Sequence, residues 1–289
     1  MNPKDTLFSR NHSMKIKGQL IDFSVPKVMG VLNVTPDSFY DGGRYTAEKK
    51  IASKVEKMIV EGADFIDVGA YSSRPGATII SYEEEVRRLS ETIKVLKSRF
   101  PAIIISIDTF RSGIARKMVE EYEADMINDI SAGDMDKEMF STIADLQIPY
   151  VMMHMQGTPQ TMQKNPKYEN VVKDIINVFA GKVEELKLLG VDDVILDPGF
   201  GFGKNLDHNY KLMNGLGLFA VLNKPIMVGV SRKSMIGKLL GCTPDEALNG
   251  TVVLNTVALM KGIDILRVHD VKEAVEAIKI VEKLNEFKS

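Results

Sequence analysis

Val194-Ile195-Leu196-Asp197-Pro198-Gly199-Phe200-Gly201-Phe202-Gly203-Lys204 opens as a short apolar run and breaks at once into an acid, a proline and alternating glycines. An apolar run that ends in Pro and Gly reads as a strand followed by a loop. The pattern occurs again near the other end of the chain. There Val28 to Leu32 is apolar, and Asn33-Val34-Thr35-Pro36-Asp37-Ser38-Phe39 follows. Buried strands that end in polar loops of this kind are how a parallel α/β fold presents its chemistry.

Between and around these stretches, apolar strands alternate with amphipathic helices. Strands are predicted at Lys27 to Val34, Asp64 to Val68, Ile103 to Ile107, Asp125 to Asn128, Pro149 to Met153, Asp193 to Leu196, Ile226 to Gly229 and Ile263 to Val268. Each is a continuous apolar run, as a strand buried on both faces must be. Helical spacing fills the gaps. Ile51, Val55, Met58 and Ile59 share one face, and Val86, Leu89, Ile93 and Leu96 share another. Thr243-Pro244-Asp245-Glu246 has the form of a capping box and predicts a helix from Thr243 to Met260. Eight strand–helix units predict a (β/α)8 TIM barrel, with an open doubly wound sheet as the alternative. Residues 1–26 stand outside the repeat. Lys15 to Phe23 alternates around Gly18 and predicts a short N-terminal β-hairpin that plugs the bottom of the barrel formed by residues 27–289.

The bulk numbers exclude several classes. A net charge of -2 over 289 residues does not suggest a general nucleic-acid-binding surface. No apolar run approaches the roughly 20 residues needed to cross a bilayer. The first 17 residues are polar, without a signal-peptide core. Cys242 is the sole cysteine, so no intramolecular disulfide forms, and a reducing cytoplasm is expected.

A barrel carries its active site where its strands end. The residues there are Asn33, Ser72 to Gly76, Asp108, Asn128-Asp129, His154, Asp197, Ser231-Arg232-Lys233 and Arg267 to Asp270. Asp108, Asn128 and Asp197 suit the amino-pyrimidinone edge of a pterin or guanine, because carboxylates accept paired N–H groups and an amide both donates and accepts. Arg267 and His269 beside Asn33 suit an anion, with Lys233 between the two halves. Met153, at a strand end, is expected against a flat ring. Simpler readings stand beside these. Asp108 fits a helix cap, Asn128-Asp129 a turn, and Asp197-Pro198-Gly199 a tight turn whose glycines serve the backbone. A cationic Arg232-Lys233 pair at a helix start opposes the macrodipole, and an anionic ligand would account for it. The glycine-rich run lacks dinucleotide spacing, and no His pairs with another His or Cys at zinc-site spacing.

The chain from Val28 to its C-terminus resembles the dihydropteroate synthases. The resemblance rests on Gly30 to Phe39, Ser73-Arg74-Pro75-Gly76, Ser106 to Thr109, Ile127-Asn128-Asp129, Met153 to Gly157, Asp197 to Phe202, Ser231 to Ser234 and Arg267 to Asp270, in that order. It implies that a dihydropterin-methyl diphosphate and 4-aminobenzoate condense to dihydropteroate and pyrophosphate. It also implies that Asp108, Asn128, Asp197 and Lys233 hold the pterin between Met153 and Phe202. Asn33, Arg267 and His269 would bind diphosphate, with Mg2+ helped by Asn33. Phe39, Ser73, Pro75 and Ser234 would shape the aminobenzoate slot, and Asp41 and Arg74 would join Lys233 and Asp108 in catalysis. A homodimer and a sulfonamide target are further implications. The family's Gly-Glu-Ser-Thr-Arg-Pro-Gly reads here Ala70-Tyr71-Ser72-Ser73-Arg74-Pro75-Gly76, so Tyr71 stands in place of an acid. The rivals are a methyltetrahydrofolate:corrinoid methyltransferase, whose barrel has no use for a diphosphate pocket, and a non-catalytic pterin-binding barrel.

Overall fold

A computed structural model describes residues 13–35, 44–71, 80–162 and 164–287. Strands β1 (Ser13–Ile16) and β2 (Gln19–Asp22) pair as an antiparallel hairpin. Its turn residues Lys17 and Gly18 both have positive φ, 52° and 74°, the conformation that a two-residue hairpin turn requires. Eight parallel strands follow: β3 (Lys27–Asn33), β4 (Phe65–Gly69), β5 (Ile104–Asp108), β6 (Met126–Asp129), β7 (Tyr150–Met153), β8 (Val194–Asp197), β9 (Met227–Val228) and β10 (Ile265–Val268). Their order is β8-β7-β6-β5-β4-β3-β10-β9. A parallel bridge from Leu196 to Ile226 joins the two ends into a barrel.

Strand parity decides what each side chain meets, since successive side chains point to opposite faces. In β4, Ile66 and Val68 pack outward under the helices, while Phe65 faces the barrel axis. In β5, Ile105 and Ile107 face outward and Ile104 inward. The inward floor is Met29, Phe65, Ile104, Met126, Val151, Ile195, Met227 and Ile265, one residue from each strand. Met14, Ile16 and Phe23 pack onto that floor, so the hairpin closes the bottom as expected. Continuing two residues at a time along the inward face leads to Asp67, Ser106 and Asp108, Asn128, Met153, Asp197 and Arg267. The same parity therefore that buries an apolar floor lifts a polar layer to the C-terminal rim.

The helices are α1 (Arg44–Val60), α2 (Tyr82–Arg99), α3 (Ser112–Glu120), α4 (Met139–Leu146), α5 (Val171–Leu188), α6 (Leu206–Asn214), α7 (Ser234–Leu240), α8 (Leu248–Met260) and α9 (Val271–Asn285). In α2 the Ser81 hydroxyl accepts from Glu84 N and three acids occupy the first turn, so cap and macrodipole agree. Its buried Leu89, Ile93 and Leu96 each contribute roughly 1.5–3 kcal/mol by leaving water. One helix starts later than its sequence predicts. Thr243 N and Oγ1 do donate to Glu246 Oε2, at 2.9 and 2.8 Å, but the backbone bonds of Glu246 and Ala247 run back only three residues. Residues 243–247 are thus turns that pack before α8 begins at Leu248. No helix among the described residues is long and apolar enough to cross a membrane.

Candidate active site

The polar layer converges at the rim. Strand register sets Asn33 beside Gly69, Gly69 beside Asp108, and Asp108 beside Asn128. Gly69 is needed there. A methyl group at that position would sit 3.3 Å from Asn33 Oδ1 and 3.5 Å from Asp108 Oδ2.

Arg267 rises from β10 between two acids. Its Nε donates to Asp67 Oδ2 at 2.7 Å, and its Nη2 lies 2.6 Å from the same oxygen and 2.9 Å from Asp108 Oδ2. Asp67 also accepts from Ser106 Oγ at 2.6 Å and Asn128 Nδ2 at 3.0 Å. Its carboxylate is saturated, which makes it a brace for Arg267 and Asn128. Asp108 differs: its Oδ1 is buried and has no hydrogen-bond partner. Burial pushes the Asp108 carboxyl up to about 7 against the pull of Arg267. One arginine thus balances two buried acids, and a buried acceptor is left without a partner.

Asp197 and Lys233 form the opposite side. Asp197 Oδ1 accepts from Gly199 N at 2.8 Å. Lys233 Nζ donates to Phe200 O at 2.6 Å and lies 4.8 Å from the Phe202 ring centroid. Burial lowers the Lys233 ammonium to about 8, with the Asp197 charge opposing that shift. Burial likewise raises Asp197, and Lys233 is the main restraint. Tyr71, Phe110, Ile130 and Met153, with Phe202 and Met155 packed on them, form an apolar wall. Tyr71 stands edge-on to Phe110, ring centroids 5.6 Å apart, and its hydroxyl is buried without a partner.

His269 stands exposed at the rim, with Ser231 Oγ 3.1 Å from Nδ1. Two expectations need correction. Arg232 needs no ligand to explain it, because Asp270 receives its Nε and Nη2 at 3.0 and 2.7 Å. Asp129, the last residue of β6, faces away from the barrel axis by parity with Asn128. It accepts from Ser131 N and Oγ, Gly133 N and Tyr150 Oη, and so serves the turn. Ser234 is exposed at the first position of the seven-residue α7. Asp37, Phe39, Asp41, Ser73, Arg74 and Pro75 lie outside the described residues.

Sequence reading missed Asp67. The available signal was an acid inside Phe65-Ile66-Asp67-Val68-Gly69, at the parity that faces the barrel axis. It also left Lys204 without a role, although that lysine is 2% exposed beneath the glycine loop.

Comparison with known proteins agrees with this geometry. The family described as pterin binding enzyme matches residues 29–269. The dihydropteroate synthase of Escherichia coli (strain K12) is 43% identical over 268 residues, which is 92% of this chain and 94% of that protein. The Yersinia pestis dihydropteroate synthase, solved in complex with a sulfonamide drug, superposes with a TM-score of 0.88 at 39% identity, over 95% of this chain and 99% of that one. The Xanthomonas albilineans enzyme in complex with 7,8-dihydropteroate gives a TM-score of 0.85 at 32% identity, over 96% and 100% of the two chains.

Proposed function

The chain belongs to the pterin binding enzyme family and within it to the dihydropteroate synthases, and from that membership we propose how its own residues carry out the condensation. The substrates are a 7,8-dihydropterin-6-ylmethyl diphosphate and 4-aminobenzoate. The C–O bond to diphosphate breaks, the arylamine nitrogen takes the methylene carbon, and the amine proton leaves to solvent or pyrophosphate.

The single observation that carries the assignment of roles is the orphaned Asp108 Oδ1 at a rim whose other acid, Asp67, is saturated. Asp108 accepts from the pterin ring and stabilises the positive charge that spreads from the methylene as diphosphate departs. Asn128 has Nδ2 committed to Asp67, so its Oδ1 is the acceptor it offers. Asp197 takes the ring's N–H edge and Lys233 donates to its carbonyl and ring nitrogen, while Met153 and Phe202 flank the plane. Arg267 has Nε and Nη2 on acids, and Nη1 carries no bond among the described residues, which leaves it for the diphosphate beside Asn33 and His269. Dissociative departure needs no covalent enzyme intermediate, in keeping with a rim built from acids, amides and cations.

The family also implies Mg2+. Among the described residues no group of three or more His, Cys, Asp or Glu could hold a metal ion. A cation that brings diphosphate oxygens and water as most of its ligands suits that donor set, with Asn33 Oδ1 as the protein ligand. When bound, Mg2+ takes up charge on the leaving diphosphate.

Aminobenzoate would enter beside Ser234, Phe39, Ser73 and Pro75, with Asp41 and Arg74 closing over it, and a sulfonamide would compete there. The chain would act in the cytoplasm, as residues 27–289 with residues 1–26 as an extension. Leu239, Leu240, Val253 and Met260 are exposed on α7 and α8, and α8 carries no charged residue, which supports a homodimer through these helices. The function is tested by mixing pterin diphosphate, 4-aminobenzoate and Mg2+ and measuring pyrophosphate. Release that depends on aminobenzoate is expected. Methyl transfer from methyltetrahydrofolate, or pterin binding without turnover, would overturn the assignment.

A further inference from the structure

Lys204 is a buried lysine with no carboxylate partner among the described ion pairs. Its Nζ donates to Gly199 O and Phe202 O, both at 2.9 Å, and meets His154 Nδ1 at 3.1 Å and His154 O at 3.3 Å. Burial lowers this ammonium to about 7, with the Asp197 charge opposing the shift. In its protonated form it has three protons: two are taken by loop carbonyls and the third is shared between His154 O and Nδ1. His154 points away from the barrel axis, by parity with the inward Val151 and Met153, and packs on Tyr168 and Phe179 with ring centroids 6.1 and 6.3 Å away. Burial and the Lys204 charge hold its imidazole neutral. An imidazole that accepts at Nδ1 carries its proton on Nε2, so the pair fixes one tautomer.

The clamp grips a loop that could scarcely be shaped otherwise. Gly199, Gly201 and Gly203 all have positive φ, 72°, 82° and 59°. A Cβ on Gly199 would run into His154 O, and one on Gly203 would sit 2.6 Å from Gln156 O. The loop therefore lies pressed on the backbone of residues 154–156, and its carbonyls converge on one cation. Each residue that the loop presents to the cavity is set by this curl. Gly199 N orients Asp197, Phe200 O anchors Lys233, and the Phe202 ring lies under the Lys233 ammonium.

We propose that Lys204, backed by His154, is a positioning residue for the pterin: it curls the glycine loop so that Asp197, Lys233 and Phe202 meet one ring. This inference rests on the pterin reading of the site, and it goes beyond that reading by assigning a role to a residue that touches no substrate. Its consequence is selective. The Asn33–Arg267–His269 side is built from other strands and is braced by Asp67 and Ser231, so loss of the clamp should spare it.

The test is Lys204→Met, which keeps much of the length and apolar volume but removes every donor. We expect KM for the pterin diphosphate to rise tenfold or more, with KM for 4-aminobenzoate within twofold of wild type. The calorimetric Kd for 6-hydroxymethylpterin should rise by the same factor. Unchanged pterin KM, or an equal rise in both KM values, would overturn the proposal. Should Lys204→Met fail to fold, His154→Leu decides in its place. A pterin-selective rise of threefold or more supports the clamp, and a pterin KM within twofold of wild type overturns it. Wild-type protein that releases no pyrophosphate would sink the enzymatic reading instead, and pterin calorimetry on the same variants would still judge Lys204.

Discussion

Arg267 and Asp67 meet through two nitrogens on one oxygen: Nε stands 2.7 Å and Nη2 2.6 Å from Asp67 Oδ2. Asp67 is fully buried, and it is the one group that ties Arg267, Asn128 and Ser106 together. Removing its charge leaves Asp108 as the remaining ion-pair partner of the guanidinium among the described residues. Breaking a largely buried pair from one side costs about 3 kcal/mol or more. Asp67→Asn should therefore lower the urea midpoint at unchanged m value and weaken binding of both pterin and pyrophosphate. A variant that weakens pterin alone would show that Asp67 does not brace Arg267.

Asp108 invites the opposite stability effect. Its carboxyl is raised from 3.8 to about 7, chiefly by burial. Between those values the unfolded chain has released the proton that the folded protein keeps, so native stability falls as pH rises through the window. Asp108→Asn removes that dependence. The variant should match wild type near pH 4 and exceed it above pH 7, by on the order of 1 kcal/mol, while turnover is lost. Stability that trades against activity in this way marks a group kept for chemistry. Urea melts at pH 4, 6 and 8 check it, and a variant less stable than wild type at pH 8 would contradict the account.

The barrel itself was legible because its evidence is repetitive. Eight apolar runs, each with a helical stretch behind it, leave little freedom, and all eight strands stand within two residues of their predicted bounds. Asp108, Asn128, Met153, Asp197 and Arg267 were legible because they stand at or near strand ends. Asp67 was not, because it sits in mid-strand and only parity exposes it. Arg232 was misjudged because its partner Asp270 is 38 positions away and close only in the folded barrel. The α8 start shifted because a capping box closes equally well on a three-residue turn.

His154 carries its own pH signature. Burial holds it at about 3. An unfolded histidine takes its proton near 6.5. Below that pH the unfolded chain binds a proton that the folded protein refuses, so stability falls from pH 6.5 down to about 3. This slope is opposite in sign to that of Asp108 and overlaps it. The two contributions separate in Asp108→Asn, where the acid-side loss should stand alone. Nitrogen-15 spectra should show the His154 ring neutral at pH 6, and a His154 that titrates near 6.5 would refute this account.

Gly69 and Gly199 separate space at the site from strain in the backbone. Gly69 has an ordinary strand conformation, and an added methyl group would meet only Asn33 Oδ1 and the Asp108 side chain, at 3.3 to 3.5 Å. Gly69→Ala should fold with a melting temperature close to wild type, yet crowd the amide and acid and lower kcat/KM for the pterin diphosphate by about tenfold, equivalent to 1.4 kcal/mol.

Tyr71 supplies the last contrast. Its hydroxyl is buried with no partner, whereas its ring packs edge-on to Phe110. A buried hydroxyl that makes no bond costs roughly 1–3 kcal/mol, and burial together with the Asp108 charge pushes its ionisation far out of reach. The hydroxyl therefore neither stabilises the protein nor moves a proton, and the ring is what the wall uses. Tyr71→Phe should raise the melting temperature and leave kcat and both KM values within twofold of wild type. Tyr71→Glu, which restores the acid of the family pattern, should cost stability, because a third carboxylate would enter a region where Arg267 already serves two. A Tyr71→Phe protein with tenfold weaker pterin binding would instead make the hydroxyl a substrate contact.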